Sequence, residues 1–401
     1  MAAAEPATLS PPAAAPPARL IVLLGALSTF GPLSMDMYLP GLPDLTRDLD
    51  APAWAAQMTI TTCMAGLAAG QLVAGPLSDR LGRRRPLLAG LAAYAVTSAL
   101  CALAPTIWSL LAVRLIQGLA GAAGIVIARA IVRDRYQGSS AARIYSLLML
   151  VAGLAPILAP LLGGQLLHVT DWRGVFVALA AVGAALLVSA AVWLEESLEP
   201  DRRHGGGLVA TLRVFGTLLR DRAFVGIVLA MGLSFSAMAV YIGGSSFVLE
   251  NVYDVSPQLF SVMFALNAAG IIAASQLGGH LVDRVGPRAL LDAGVRASAL
   301  GGLGLLAAVV FDAGLAGVLP SLFVIVACVG LVLPNATALA LADYPRAAGS
   351  ASALFGLAQF GLGGAVVPLA GVAGGHTALP LAITAATLGV GSALVMPILR
   401  R

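Results

Sequence analysis

The chain has 401 residues, of which 23 are basic and 19 acidic, so charged side chains make up 10% where an ordinary soluble protein carries about a quarter. With 59% of residues apolar, 46 glycines and a mean hydropathy of +0.94, there is too little polar side chain to cover a water-facing surface, which excludes a soluble globular protein. A spanning helix takes about 20 residues plus a short loop, so the length allows roughly a dozen spans and no soluble domain of useful size.

All the basic residues are arginine, and lysine is absent. A P-loop needs its lysine on the phosphates, and retinal or pyridoxal sites need a Schiff-base lysine, so these chemistries are excluded. Cys63, Cys101 and Cys328 are isolated in apolar runs, and His168, His204, His280 and His376 show no metal-ligand spacing. No Gly-x-Ser-x-Gly elbow is present. The expectation is a protein without metal or cofactor and not an enzyme. The net charge of +4 lies in short loops between apolar runs, which points to membrane topology and not to nucleic acid.

In chain order, residues 1–18 form an Ala/Pro-rich stretch expected to be a disordered cytoplasmic tail. Apolar runs predict helices over 20–42, 54–77, 86–104, 107–131, 142–168 and 174–194. A second set follows over 223–249, 257–281, 288–311, 316–341, 348–373 and 378–399. The domain reading is an N-terminal six-helix bundle over 19–194, a cytoplasmic linker over 195–222, and a C-terminal bundle with a short tail over 223–401. Leu208 to Leu219 in the linker is mildly amphipathic and reads as lying on the membrane surface. Eighteen arginines fall on one side of this arrangement, from Arg19 and the Arg83–Arg85 run to Arg400 and Arg401. Only Arg47 and Arg173 fall on the other. The positive-inside rule therefore predicts two cytoplasmic termini and an even number of spans. Trp54, Trp108, Trp172 and Trp193 sit at predicted helix ends, as an interfacial belt requires. Gly75, Asp79, Arg80 and Gly82 recur 204 residues later as Gly279, Asp283, Arg284 and Gly286, which implies an internal duplication of six spans.

On these residues the chain resembles the major facilitator superfamily, and more closely its bicyclomycin and chloramphenicol resistance exporters of the Bcr/CflA drug:proton antiporter type. The first-helix signature is similar in Pro32-Leu-Ser-Met-Asp36-Met-Tyr38-Leu-Pro40-Gly-Leu-Pro43. The loop between helices 2 and 3 reads Gly75-Pro-Leu-Ser-Asp79-Arg80-Leu-Gly82-Arg83-Arg84-Arg85. Helix 4 carries Arg114-Leu-Ile-Gln117-Gly118 with Gly121 and Gly124, and helix 5 the antiporter-like Gly153-Leu-Ala-Pro156-Ile-Leu-Ala-Pro160-Leu-Leu-Gly163-Gly164. The fold so implied is an all-α membrane protein of 12 transmembrane helices in two six-helix bundles, related by a pseudo-twofold along the membrane normal.

Asp36 is an acid inside a span, a functional-site hypothesis by default, with a turn acid before Pro40 and Pro43 as the alternative. Arg114 lies at about the same depth by helical rise, so the two are expected to share one cavity, with snorkelling to the headgroups as the alternative for the arginine. A change in their separation or hydration would make Asp36 bind and release a proton, with Gln117 beside them by resemblance. Gly75, Asp79, Arg80, Gly82 and Arg83 are expected to latch the bundles at the cytoplasmic side, the Asp79 carboxylate meeting a helix N-terminus or an arginine of the adjoining bundle. Gly153, Pro156, Pro160, Gly163 and Gly164 predict bending or tight inter-bundle contact. Met35, Tyr38, Phe235, Tyr241, Asn267, Asn335 and Gln359 are expected to line a substrate cavity. The positions 204 residues after Asp36 and Arg114 are Val240 and Val318, so the candidate proton machinery sits in the first half. The resemblance implies a monomer in the bacterial inner membrane that exports small drugs, driven by the proton gradient. Proton-coupled uptake of a metabolite is the alternative.

Overall fold

The computed structural model describes residues 18–136, 138–202, 215–342, 344, 348–373 and 375–398. The expected tail, apart from Ala18, and residues 203–214 of the linker, with most of the expected Leu208–Leu219 surface segment, lie outside the described residues. Within them the chain is helical and shows no strand. The helices are α1 Ala18–Leu27, α2 Phe30–Asp36, α3 Leu42–Asp48, α4 Ala53–Leu81, α5 Arg84–Ala102, α6 Ile107–Arg135, α7 Gly138–Leu166 and α8 Trp172–Trp193. Then come α9 Arg222–Ser246, α10 Pro257–Val310, α11 Gly314–Ala327, α12 Val329–Ala342, α13 Ala348–Val366 and α14 Leu379–Ile398.

These segments match the expected spans one for one. Nine helices among the described residues are long and apolar enough to cross a membrane, and α1 through α3 add a bent span with a 45° break. The 54-residue α10 is two spans in one, because Gly286 breaks it with φ 80° and ψ 155°. One of the nine is α11 and α12 taken together, and α7, whose apolar part among the described residues is Gly153–Leu166, stands where the remaining span is expected.

The break at Gly286 explains the duplicated loop motif. Its counterpart Gly82, 204 residues earlier, has φ 90° and ψ 166°. Both occupy a backbone region that only glycine enters without strain, and both turn one span directly into the next. The motif therefore encodes a backbone corner, and the corner has been kept in both halves.

Small residues set close helix crossings. A β-carbon on Gly66 would lie 2.1 Å from the Leu115 carbonyl oxygen, and one on Gly118 would lie 2.1 Å from that of Cys63. The backbones of α4 and α6 thus touch directly, as membrane helices do where side chains are absent. Acids begin two of the other spans. Asp171 accepts from the N–H groups of Arg173 and Gly174, and Asp221 from those of Ala223 and Phe224. Asp221 also accepts from the Tyr344 hydroxyl, and this bond together with the two N–H groups holds its carboxyl below the usual range.

Trp172 departs from the expected belt. It is buried, packs edge-on against Phe176 and donates to Asp48, which also takes Arg173. Trp54 and Trp108 are exposed and lie near each other, as the belt requires.

The two halves of the chain meet at their arginine-poor end. There the Thr61 hydroxyl on α4 donates to the Gly364 carbonyl on α13, at 2.7 Å. The turn Val367–Gly371 packs on the start of α4, where a β-carbon on Gly371 would lie 2.6 Å from Gln57 Oε1. Contact between α4 and α13 continues as far as Gln71 and Gly356. At the arginine-rich end, the ion pairs of Asp79 with Arg83 and Arg133 and of Arg83 with Asp134 lie within the first half, and Asp283 and Arg284 are exposed.

Replacing Gly82 or Gly286 by alanine is expected to cost about 1–3 kcal/mol each, from backbone strain alone. Gly279→Ala, in the same motif but with open space at the β-carbon, leaves stability unchanged. Thermal unfolding of the three purified variants in detergent checks the contrast.

Candidate functional site

The first span is broken where the site lies. Pro32 has no N–H to offer the carbonyl of Ser28, and the Ser28 and Thr29 hydroxyls bond back to the carbonyls of Leu24 and Ala26. The helix therefore stops and restarts as α2, a seven-residue piece ending at Asp36. Pro40 then directs the chain into the short turn Leu39–Gly41, and Pro43 opens α3.

Asp36 is buried, at 4% exposure, and its Oδ1 finds no hydrogen-bond partner among the described residues. The turn Leu39–Gly41 that follows it packs against α9 and α10 of the second half, which sets Asp36 near the seam on the side where Tyr241 is buried. The Tyr241 hydroxyl accepts from Asn267 Nδ2 at 2.9 Å, and its ring stacks on Phe264 at 5.3 Å. Met35 is buried one residue before Asp36. Phe235 meets Phe360 edge to face at 5.9 Å, a second aromatic pair in the second half.

Arg114 is fully buried on α6 and does not snorkel. Nor does it pair with Asp36. It donates through Nε to the Thr59 carbonyl (3.2 Å), through one NH2 group to Gln117 Oε1 (2.6 Å) and through the other to the Tyr38 hydroxyl (3.3 Å). Its guanidinium also sits 4.7 Å from the Tyr38 ring centre and 5.5 Å from that of Phe176. Gln117 passes the network on to the Ser98 hydroxyl at 2.7 Å, and Tyr38 shares a hydrogen bond with Thr59 at 2.7 Å. The expected common cavity is thus replaced by two places. Arg114 and Gln117 belong to a closed polar network inside the first half, whereas Asp36 lies on the seam between the halves. The reason is azimuth: equal depth does not put two side chains on facing sides of their helices.

The cavity expectations divide in the same way. Tyr38 is tied into the Arg114 network, fully buried, and does not face the seam. Asn335 spends its amide on the Leu331 carbonyl of its own helix, at 2.8 Å, and Gln359 is half-buried on α13. Tyr241 and Asn267 are brought together, and Phe235 joins the aromatic lining of the second half.

On α7 the small residues face two ways. A β-carbon on Gly163 would lie 1.7 Å from the Met37 carbonyl oxygen, so α7 presses on the first span one residue after Asp36. A β-carbon on Gly164 would lie 2.4 Å from Ser261 Oγ on α10, and Gly153 faces Ile272 of the same helix. Pro160 is buried between these positions and Pro156 half-buried.

At the arginine-rich corner the central group is Arg83. It is buried and donates to Asp134 (2.7 Å), Asp79 (2.6 Å) and the Ser78 hydroxyl (2.8 Å). Asp79 also lies 3.9 Å from Arg133, and Arg80 is exposed. Among the described residues the Asp79 carboxylate therefore meets Arg83 and Arg133 of its own half and not an arginine of the adjoining bundle. Glu196, where the linker begins, accepts from the N–H groups of Arg83 and Arg84. Burial pushes its carboxyl up, but these N–H groups and those of Leu198 and Ser197 outweigh that and hold it below the usual range.

Sequence reading missed Thr59 and Ser98, the bonding partners of the arginine network. It also missed Gln57, Ser245, Ser246 and Glu250, which are polar groups with buried, unpartnered atoms. Each was visible as a polar residue within or at the end of an apolar run.

The Major Facilitator Superfamily model matches residues 24–368. Over 376 residues the chain is 38% identical to YdgK of Bacillus subtilis, an uncharacterised MFS-type transporter, covering 93% of each. It is 29% identical over 381 residues to a bicyclomycin resistance protein homolog of Haemophilus influenzae, covering 94% of each. It is 30% identical over 273 residues to the multidrug resistance protein MdtL of Escherichia coli, covering 68% of this chain and 69% of that one. The fold matches that of the nucleoside transporter NupG with a TM-score of 0.77 at 15% identity, over 95% of this chain and all of that one. With the twelve-segment helical architecture and these matches together, the chain belongs to the Major Facilitator Superfamily and is a multi-pass membrane transporter.

Proposed function

We propose that the protein exports small, moderately apolar drugs from the cytoplasm across the bacterial inner membrane in exchange for protons, with its arginine-rich end and both termini cytoplasmic. The observation that carries this reading is Asp36, a buried carboxyl with an unpartnered oxygen on the seam between the two halves. A carboxylate in such a place is costly, and binding a proton removes the charge. The seam must part and re-form during alternating access, so the surroundings of Asp36 change with each turn. Proton binding at Asp36 and exposure of the cavity to one side are then two faces of one equilibrium. The similarity to proteins named for bicyclomycin and multidrug resistance supports a drug as the cargo.

The aromatic lining suits such cargo. Tyr241 stacked on Phe264, the Phe235–Phe360 pair and Met35 offer apolar contact, while Asn267 and the Tyr241 hydroxyl offer a few directed hydrogen bonds. Arg114 acts in this reading as a positioning residue. By fixing Tyr38 and Gln117 it keeps the first half rigid around the broken span that carries Asp36. Gly153, Gly163 and Gly164 let α7 lie close against both that span and α10, and the Asp79–Arg83–Asp134 cluster stabilises the corner while the cytoplasmic end is open.

Purified protein in liposomes, given chloramphenicol or bicyclomycin under a proton gradient, is expected to move drug and protons in opposite directions. Asp36→Asn should abolish gradient-driven drug accumulation while still binding drug. Equal proton movement in the variant would overturn the assignment of Asp36, and drug accumulation against the direction of export would favour metabolite-type uptake. Arg114→Gln leaves its former partners short of donors, at a cost of about 1.5–3 kcal/mol per lost charged hydrogen bond. It is expected to lower both the thermal midpoint and the transport rate, while Arg114→Lys restores the charge but not the three-way bonding. Transport assays with melting curves on the same samples check this.

A further inference from the structure

The arginine-poor end of α9 carries a row of polar groups that the transport reading leaves unused. Past Ser246 the helix widens into a π-helical stretch, Phe247–Val252, and within it stands Glu250. π-Helical insertions occur frequently at functional sites. Glu250 is half-buried, with Oε1 enclosed and unpartnered among the described residues. Ser246, four residues back, and Ser245, five back, are fully buried, and their hydroxyls are also unpartnered there. Four residues before Ser245 comes Tyr241, whose oxygen accepts from Asn267 and so keeps its own proton free to donate, on the side of the seam near which Asp36 lies. At 1.5 Å per residue the nine residues from Glu250 to Tyr241 span about 14 Å of helix.

Buried polar side chains are nearly always paired, so a run of them along one helix leading to a buried carboxyl calls for a functional explanation. Here the run has an outer end open to water and an inner end at the proposed proton site.

We propose that Glu250 is a second proton-binding group, which takes protons from the outer side and passes them by way of Ser246, Ser245 and Tyr241 to Asp36. The step is balanced. A proton from outside water joins the Glu250 carboxylate, each hydroxyl in turn accepts one proton and gives up another, and Asp36 is neutralised while Glu250 returns to its charged form. Water fills the spaces between these groups when the outer end opens. The charged groups facing Glu250 from the first half are Asp44 and Arg47 on α3, which pair with each other. From the second half, the loop that carries the exposed His376 reaches Asn251 through Gly375. Closing the outer end brings α3 over Glu250, so the same movement that seals the cavity cuts this group off from its supply of protons.

This inference rests on the proposed role of Asp36, and the test separates the two. Wild type, Glu250→Gln, Glu250→Asp and Asp36→Asn are reconstituted in liposomes, with chloramphenicol as the probe and the pH of the outer and inner faces set independently. Drug binding by the detergent-solubilised proteins shows that each variant is folded. Glu250→Gln is expected to slow gradient-driven drug transport by roughly tenfold or more and to flatten its dependence on outer pH, leaving the dependence on inner pH in place. Glu250→Asp should restore the outer-pH dependence, a rescue that a purely structural role would not give. Wild-type rates and outer-pH dependence in Glu250→Gln, with Asp36→Asn impaired, would overturn the relay alone. Unimpaired proton-coupled flux in Asp36→Asn would overturn the reading on which it rests.

Discussion

Lipid offers no hydrogen bonds, and that constraint decides what each polar side chain of this protein can be. Helix satisfies the backbone, so the side chains stand out. One group is closed upon itself: Arg114, with Gln117, Tyr38, Thr59 and Ser98, forms a network whose donors and acceptors answer one another inside the first half. The other group, Asp36, Gln57, Ser234, Ser245, Ser246, Glu250 and Ser298, has side-chain atoms that no described residue answers. A fully bonded network is rigid, and an unanswered one is sensitive to water. The first gives the protein a fixed body, and the second, with Asp36 at the seam, concentrates its response to conditions at the surface that opens and closes.

The duplication bears on the same division. Both halves keep the glycine corner at Gly82 and Gly286, a requirement of backbone geometry that any six-span unit built this way must meet. They do not both keep the charges, since valines stand at 240 and 318 where the first half has Asp36 and Arg114. Val240 and Val318 are fully buried, so the second half fills with packing what the first fills with polar chemistry. The outcome is one half that holds the buried Asp36 and Arg114 facing one that supplies aromatic surface at the corresponding depth of its own helices.

What was legible in the sequence follows from which physical quantity it encodes. Span positions came through because apolar length and loop charge vary along the chain; the repeated loop motif is visible too, but it reads as a latch and not as the glycine corner that the backbone shows. Azimuth did not come through. Helices that are apolar nearly all round carry little signal for which side faces lipid, partner helix or seam. Arg114 was therefore placed opposite Asp36 when its side chain turns into α4, and Tyr38 was placed in the cavity when it turns to meet Arg114. The same ambiguity hid Trp172, whose position at a helix end suggested the headgroups, although Asp48 and Phe176 draw it inside. The Glu250 stretch was overlooked because a lone acid at the end of an apolar run looks like an ordinary loop residue until the fold shows that one of its oxygens is enclosed.

The faces of α7 carry a mechanical consequence. Gly164 and Gly153 present bare backbone to α10, and Gly163 presents it to the first span, so the helix has few ridges to interlock with its neighbours. Interlocked helices move only in steps of a turn, whereas a smooth contact allows continuous rolling. In the proposed transport cycle α7 serves as a bearing between the two halves, and a single methyl group at Gly164, wedged against Ser261, would act as a chock under it.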